Sequence, residues 1–323
     1  MTLQLTVAAV GPAASGGAAP AFLGVGVLPL LPQILAVLVV GTVLGLFTIV
    51  GLDRLRGFRG RAAERFQTVL PYLVLLGGVL IINSMLRDIG PELSWIIGWQ
   101  ITDWIFAVEG TFVGWLQSFS NPAANVYFSY IYVYGYIFLM VFPIIAYLVL
   151  DDDRPIKEAA LAYTINYGIG VVCYLLFIAY GPRNVMPDTV DQILYLNWPE
   201  SHLLTSQINA NVNVFPSLHT SLSVSVAALA YRTRSEYPRW VPVATVLAVS
   251  VMIATMYLGI HWATDVFFGV LLGLFSVGVA AWLTSPNRRD GRLWRLGQRF
   301  RRPLDRSVAA LFDWIEKRRG TSG

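Results

Sequence analysis

His219, His261 and Asp265 are the residues whose types and spacing could carry out chemistry. His261 and Asp265 lie four positions apart in TMYLGIHWATD, which predicts one face of a helix that begins near residue 259. An aspartate there can accept a hydrogen bond from one imidazole nitrogen and so fix the tautomer. The other nitrogen is then available as a nucleophile or a general base. The alternative is an interfacial histidine followed by a helix-capping aspartate.

A second candidate site is the start of the helix that FPSLHTS predicts. Proline suits the first helical turn, because its missing N–H would have no partner there. The free N–H groups of that turn and the positive end of the helix can bind an anion such as phosphate. Ser217, Leu218 and His219 lie at this point, so Ser217 and Leu218 are candidate phosphate-binding residues.

Long uncharged runs must position these residues. Hydrophobic residues make up 56% of the 323 positions and charged residues 13%, whereas a soluble domain carries about 25% charged residues. A run of about 18 apolar residues can cross a bilayer. We therefore predict an all-α fold, a polytopic transmembrane bundle of about six core helices with interfacial helices besides. Seven spans are predicted, at about 28–51, 67–86, 127–150, 159–180, 215–231, 241–259 and 263–284.

The segment 91–118 departs from this pattern, because Asp103 and Glu109 interrupt its apolar residues. Its tryptophans suit the headgroup layer of a membrane. We predict one or two helices that lie in the interface, with a re-entrant segment as the alternative. The chain is then divided into a flexible tail, an N-terminal helical part with this interfacial segment, a transmembrane bundle with the candidate residues, and a basic amphipathic tail. Their predicted bounds are 1–26, 27–126, 127–284 and 285–323.

The basic residues predict the orientation of the spans. Of 23 lysines and arginines, 21 lie in four segments, which are 53–66, 151–158, 232–240 and the tail after residue 286. If every predicted span crosses the membrane once, these four segments lie on the same side. The positive-inside rule places these segments, and so the C-terminus, in the cytoplasm. The tail is expected to bind anionic lipid rather than nucleic acid. His219, His261 and Asp265 then share the extracytoplasmic surface.

Arg183, in YGPRN, is expected at that same surface. A guanidinium there could bind a phosphate group through two parallel hydrogen bonds. The alternative is an arginine that reaches out to lipid headgroups. Its predicted position near both histidines favours the phosphate-binding interpretation.

FPSLHTS, followed by MYLGIHWATD, resembles the second and third motifs of the phosphatidic acid phosphatase type 2 (PAP2) superfamily, commonly written PSGH and SRxxxxxHxxxD. The resemblance extends over roughly 127–284. It implies a bundle of about six transmembrane helices and phosphoryl transfer through a phosphohistidine, without metal or cofactor. It further implies that His261 is the nucleophile, that Asp265 orients it and that His219 protonates the leaving oxygen.

The sequence departs from the family's motifs at several positions. Ala254 and Thr255 replace the Ser-Arg of the third motif, and Leu218 replaces the glycine of PSGH. The first motif, KxxxxxxRP, is missing, and Gly-Pro followed by Arg183 stands in its place. This combination is similar to the inositol phosphorylceramide synthase branch, whose members move a phosphorylated headgroup between lipids. A site with fewer cations suits a phosphodiester, which carries less charge than a monoester.

These features together predict an integral membrane enzyme of the cell membrane that transfers a phosphoryl group or phospho-headgroup from a lipid-linked phosphate. A lipid phosphotransferase that resembles inositolphosphotransferases is favoured, and a phosphatase acting on lipid phosphate or polyprenyl phosphate is the alternative. A non-catalytic lipid transporter or binding protein remains a third hypothesis. His219, His261 and Asp265 could also supply three metal ligands, which is a further rival. The expected partners are membrane lipids, with an alcohol or water as acceptor.

Overall fold

A computed structural model of the chain describes residues 31–58, 60–198 and 214–285. Within these ranges it contains thirteen α-helices and one pair of two-residue strands, so the prediction of an all-α helical bundle is confirmed. The predicted tail at 1–26 lies outside the described residues. The predicted basic tail also lies outside them, apart from its first residue.

The N-terminal half begins with three helices, which are followed by a short strand and two short helices. It ends with a long helical stretch that a π-helical turn divides into two helices. The elements are α1 (Leu31–Gly45, followed by a π-helical turn Leu46–Val50), α2 (Leu52–Phe58), α3 (Ala62–Ile97), β1 (Trp99–Gln100), α4 (Thr102–Glu109), α5 (Phe112–Gln117), α6 (Pro122–Tyr130, followed by a π-helical turn Ile131–Gly135) and α7 (Tyr136–Leu148).

The C-terminal half contains four long helices, with two short ones between the first and second of them. The elements are α8 (Arg154–Leu176), β2 (Phe177–Ile178), α9 (Pro182–Val185), α10 (Ile193–Asn197), α11 (Leu218–Arg232), α12 (Trp240–Tyr257) and α13 (Ala263–Leu283).

Six of the seven predicted spans correspond to helical stretches long and apolar enough to cross a membrane, and these are Leu31–Val50, Ala62–Leu86, Pro122–Leu148, Arg154–Leu176, Trp240–Tyr257 and Ala263–Leu283. The seventh, α11, has 15 residues, or about 22 Å at 1.5 Å per residue. Its first turn contacts the start of α13, where Ser217 N–H donates to the Asp265 carbonyl. At its other end Arg232 reaches Glu158, near the start of α8. The helix therefore runs from one end of the bundle to the other.

The end of α3 differs from the sequence prediction. The helix continues to Ile97, through Pro91, instead of stopping near 86. Residues 91–97, predicted to be interfacial, therefore belong to α3. Of the predicted interfacial segment 91–118, the remaining part forms the two separate short helices α4 and α5. The helix ends at Gly98, whose N–H donates to the Ser94 carbonyl. Because β1 then pairs in parallel with β2, the ends of α3 and α8 lie side by side.

The basic segments meet at the end of the bundle away from His219. Arg54 pairs with Glu236 at 2.9 Å, and Arg61 pairs with Asp151. Residues that are distant in the sequence, from 53–66, 151–158 and 232–240, thus line a common cavity of about 620 Å³. Three of the four basic segments that the charge pattern groups on one side therefore lie together, and the fourth, the tail after residue 286, lies outside the described residues.

Glu158 is the most buried acid of this cavity, with 4% of its surface exposed. Its carboxylate accepts hydrogen bonds from Arg154 (2.7 Å), from Arg232 (2.8 and 3.0 Å) and from the Thr284 hydroxyl (3.1 Å). These partners belong to α8, to the end of α11 and to the residue after α13. Glu158 therefore ties three helices together.

Replacing Glu158 with alanine is expected to lower the free energy of unfolding by about 2 kcal/mol, less than the 3–5 kcal/mol lost when a fully buried pair is broken. The loss is smaller because the Arg154 and Arg232 side chains are each 37% exposed and can turn to water. Thermal unfolding in detergent would measure it. Asp53→Ala is the matched control, because the Asp53 side chain in the Asp53–Arg56 pair is fully exposed. Its loss should leave the free energy of unfolding nearly unchanged.

Candidate active site

His261 is held in the turn between α12 and α13. The backbone N–H groups of Ile260 and His261 both donate to the Thr255 carbonyl, at 3.1 and 3.0 Å. Gly259 has φ +70°, a conformation that favours glycine. The His261 residue is only 4% exposed, and this burial lowers the pKa of its imidazole. The ring is therefore neutral at physiological pH, which is its nucleophilic form.

The Asp265 carboxylate faces the His261 ring. Its Oδ2 lies 3.4 Å from Nδ1 of His261, beyond the usual hydrogen-bond range, and accepts from the Trp262 N–H at 2.9 Å. The backbone of Val214 also lies next to the ring. Within the described ranges, His261 Nδ1 and Asp265 Oδ1 have no hydrogen-bond partner. The predicted pair is thus a close contact, which a shift of a few tenths of an ångström would turn into a hydrogen bond.

The prediction that His261 and Asp265 lie on one face of a helix beginning near residue 259 is wrong, because the helix begins later. The helix α13 begins at Ala263, with Trp262 as its extended N-cap residue, so His261 lies before the helix. The left-handed Gly259 separates α12 from this extended approach. Asp265 is the third residue of the helix, and its side chain reaches back to the preceding turn.

Ser217 is the N-cap residue of α11, and its hydroxyl accepts from the Thr220 N–H at 3.3 Å. The Ser217 N–H donates to the Asp265 carbonyl at 3.1 Å. Pro216 precedes this cap, so the prediction that it lies in the first helical turn is wrong. The two histidine-bearing segments are thus joined at their helix starts through backbone atoms. Phosphate binding by Ser217 stays a prediction.

Leu218, which stands where the family has glycine, projects into α8. A Cβ added at Gly170 would lie 2.6 Å from Leu218 Cδ2, so the missing side chain at Gly170 accommodates this departure. The Tyr174 hydroxyl donates to the Pro216 carbonyl at 3.4 Å, just before the first turn of α11. Leu218 as a phosphate-binding residue stays a prediction.

His219 lies beside His261, with 6.1 Å between the ring centroids. Its ring packs against Tyr132 at 4.7 Å and against Tyr136 at 4.5 Å. Tyr132 lies in the π-helical turn Ile131–Gly135 and Tyr136 directly follows it, and such a local irregularity is frequent at functional sites. The fold therefore brings the two predicted imidazoles together. Tyr132 and Tyr136 form an aromatic wall on one side of His219.

Arg183 lies next to the turn that holds His261. Its N–H donates to the Gly259 carbonyl at 3.1 Å, and its guanidinium interacts electrostatically with His261. The guanidinium also stacks on Tyr195, 4.9 Å from the ring centroid, and Nη2 donates to the Tyr195 hydroxyl at 3.2 Å. The residue is 8% exposed, and Nη1 has no hydrogen-bond partner among the described residues. All four predicted residues that carry chemistry therefore surround one turn.

Thr255 occupies the position of the family's third-motif arginine. It is fully buried, and its hydroxyl donates to the Met252 carbonyl at 2.8 Å. Its carbonyl accepts from the His261 N–H. Thr255 thus supports the backbone of the segment that holds His261 and supplies no cation, which leaves Arg183 as the one arginine seen at this site in the described ranges.

The aromatic wall and the acidic residue Glu109 were not predicted as parts of the site. Both oxygens of Glu109 accept backbone hydrogen bonds at the start of α13. The only sequence signal was an acid inside an apolar segment. Tyr132 and Tyr136 belong to a tyrosine-rich run in which the sequence does not distinguish the two rings that meet His219.

The rival interpretation of the same residues is a metal site. Over residues 31–58, 60–198 and 214–285, no group of three or more histidine, cysteine, aspartate or glutamate side chains is arranged to hold a metal ion. The geometry at His261 is that of an imidazole beside a carboxylate, with a second imidazole whose ring centroid lies 6.1 Å away.

A sequence model of the PAP2 superfamily matches residues 99–279, more than half of the chain. The chain belongs to the PAP2 superfamily, and this membership indicates phosphatase or phosphotransferase activity on lipid phosphates. The match includes β1, α4 and α5, so it begins well before residue 127, where the resemblance in the motifs was expected to start. No curated protein and no solved structure matches the chain.

Proposed function

We propose that this protein is a lipid phosphotransferase in which His261 attacks the phosphorus of a lipid-linked phosphate. The observation that carries the proposal is the placement of His261 between the Asp265 carboxylate, 3.4 Å from Nδ1, and the His219 ring, 6.1 Å away between centroids. A nucleophile oriented by a carboxylate and paired with a second acid–base group is the minimal set for covalent phosphoryl transfer.

The first half-reaction forms a phosphohistidine. A nitrogen of His261 attacks phosphorus, the bond from phosphorus to the lipid oxygen breaks, and His219 gives a proton to the departing oxygen. Asp265 stabilises the positive charge that develops on the His261 ring. The negative charge of the bound phosphate favours the protonated His219 that this step needs. Arg183 neutralises an oxygen of the transferring group.

The second half-reaction reverses these roles. An acceptor hydroxyl gives its proton to His219 and attacks the phosphorus, and the bond between phosphorus and His261 breaks. The nitrogen recovers its lone pair and the site returns to its starting state. An alcohol as acceptor makes the protein a transferase, and water would make it a phosphatase.

The cation content of the site favours transfer of a phospho-headgroup from a phosphodiester. Arg183 is the one guanidinium at the site in the described chain, and Thr255 takes the place of the third-motif arginine. A phosphodiester carries one negative charge fewer than a fully ionised monoester, so it needs fewer cations. The same departures support the inositolphosphotransferase-like branch, and the aromatic wall of Tyr132 and Tyr136 offers flat surfaces beside the site.

The proposed orientation places the active site at the extracytoplasmic face of the cell membrane and the C-terminus in the cytoplasm. It is supported by the arginines and acids gathered at the opposite end of the bundle and by the positive-inside rule. The substrates are then lipids of the outer leaflet. Binding of the basic tail to anionic lipid belongs to the same proposal.

Product analysis tests the proposed reaction. Purified protein in nanodiscs is supplied with a phosphodiester lipid labelled in its headgroup and with a lipid alcohol as acceptor. We expect the label on the acceptor lipid, at a rate that exceeds release of free headgroup phosphate by about tenfold or more. Release of free phosphate from a monoester lipid, without transfer, would show a phosphatase instead. No product from either lipid would favour the non-catalytic alternative.

A further inference from the structure

Glu109, the last residue of α4, holds the first turn of α13. Its Oε1 accepts from the Ala263 N–H at 2.8 Å, and its Oε2 accepts from the Thr264 N–H at 2.9 Å and from the Thr264 hydroxyl at 3.2 Å. The first N–H groups of a helix have no partner inside the helix. A carboxylate is also stabilised by the positive end of the helix dipole. Glu109 therefore caps α13 from a distant part of the sequence.

This cap has a consequence for Asp265. Because Glu109 occupies the first two N–H groups of α13, Asp265 does not serve as their anionic partner. Asp265 Oδ2 is instead directed to the Trp262 N–H and to the His261 ring. Without Glu109, Asp265 would be the nearest carboxylate to those free N–H groups, and its side chain would be drawn away from His261.

Two other polar residues of the same short helices hold the neighbouring loops. The Thr102 hydroxyl accepts from the Tyr180 N–H at 3.1 Å, just before the loop of Arg183. Gln117 donates to the carbonyls of Tyr257 and Asp191, at 2.9 and 3.0 Å, and accepts from the Asp191 N–H at 2.7 Å. Each loop next to the nucleophile is thus attached to α4 or α5 by a side chain.

We propose that Glu109 is a positioning residue of the active site. Its carboxylate fixes the start of α13 and leaves Asp265 available to orient His261. The inference rests on the proposed function, in which His261 is the nucleophile. It explains why a charged residue is retained inside an apolar, tryptophan-rich segment, and it gives the paired helices α4 and α5 a role in assembling the site.

The test compares Glu109→Gln and Glu109→Asp with Asp103→Asn in the full chain in nanodiscs. Glutamine keeps the size of the side chain but offers one acceptor oxygen, so Ala263 or Thr264 loses its partner. We expect kcat of Glu109→Gln to fall by about 10- to 100-fold, as for small displacements of a reacting group. KM should change by less than about threefold, because substrate binding is not altered. Glu109→Asp should recover part of kcat.

Asp103 is the matched control, since it is an exposed acid of the same helix α4, and Asp103→Asn should retain the wild-type kcat. Hydrogen–deuterium exchange supplies a readout that does not depend on turnover. Backbone amides of 258–266 should exchange faster in Glu109→Gln than in wild type, while the other helices keep their protection. This pattern separates a displaced turn from general destabilisation.

Several results would overturn the proposal. A wild-type kcat in Glu109→Gln would do so, and so would an equal loss in Asp103→Asn. Unchanged exchange at 258–266, or faster exchange throughout the bundle, would show that the carboxylate does not act on this turn. Failure of the proposed function has a different signature, because wild-type protein and Asp103→Asn would then both transfer no headgroup and release no phosphate.

Discussion

Replacing His261 with alanine is expected to reduce turnover of any lipid-phosphate substrate by a factor on the order of 10⁴ or more. The residue is the proposed nucleophile, and its ring is the imidazole that lies 3.4 Å from the Asp265 carboxylate. Wild-type protein quenched during turnover should carry labelled phosphate in an acid-labile, base-stable linkage, as expected for a phosphorus–nitrogen bond. His261→Ala should carry none. Rates are measured from labelled products and the intermediate from the quenched protein.

His202→Ala is the matched control, because His202 is the third histidine of the chain and matches no motif position. It should keep the wild-type rate and the labelled intermediate. Retained turnover in His261→Ala would remove the covalent mechanism. An intermediate that persists in His261→Ala but disappears in His219→Ala would instead assign the nucleophile to His219. The pair of variants distinguishes the two rings, whose centroids are 6.1 Å apart.

The architecture could be predicted because membrane spans are a property of composition. A helix in a bilayer satisfies its backbone hydrogen bonds internally, so length and hydrophobicity alone identify most spans. This worked for α8, α12 and α13, whose bounds lie within about five residues of the predicted ones. It failed at the end of α3, since nothing in the sequence around Pro91 distinguishes a helix end from a helix that passes through proline.

The residues that come together at the candidate site could be predicted from the sequence, but their local geometry could be predicted less well. His219, His261 and Asp265 were found because their spacing matches two family motifs and because the predicted topology placed them at one surface. The position of His261 before α13 depends on the left-handed Gly259 and on the extended Trp262, which are backbone conformations that spacing does not reveal. Spacing of four residues is compatible with a helix but does not require one.

The contact between Glu109 and the start of α13 could not be predicted, for a different reason. Its partners, Ala263 and Thr264, bond through backbone N–H groups, which carry no sequence signature. Glu109 and α13 lie 154 positions apart, and only the docked fold brings them together. Polar residues in apolar segments of membrane proteins are costly and usually functional. That principle would have singled out Glu109 as a candidate, though not its partner.

A close approach of α11 and α13 makes Gly269 the position where a single added methyl group should disturb the site most. A Cβ there would lie 2.6 Å from the Ser217 carbonyl oxygen, a backbone atom that cannot rotate away. The N-cap of α11 would have to move, and His219 would move with it relative to His261. We expect Gly269→Ala to lower kcat by about 10- to 100-fold and the free energy of unfolding by about 1–3 kcal/mol.

Two further glycines of α13 separate the effect on the site from the effect on packing. A Cβ at Gly273 would lie 2.4 Å from the Ser221 carbonyl, one turn farther from His219. Gly273→Ala should therefore lower the unfolding temperature at least as much as Gly269→Ala, with a smaller loss of kcat. Gly278→Ala is the control, because an added Cβ meets nothing within 4 Å among the described atoms, and a helical alanine is intrinsically favoured over glycine by about 1 kcal/mol. Two results would contradict this prediction: a loss of activity in Gly278→Ala equal to that in Gly269→Ala, or a wild-type kcat in Gly269→Ala. Either result would show that the contact between α11 and α13 at Gly269 does not set the distance between the imidazoles.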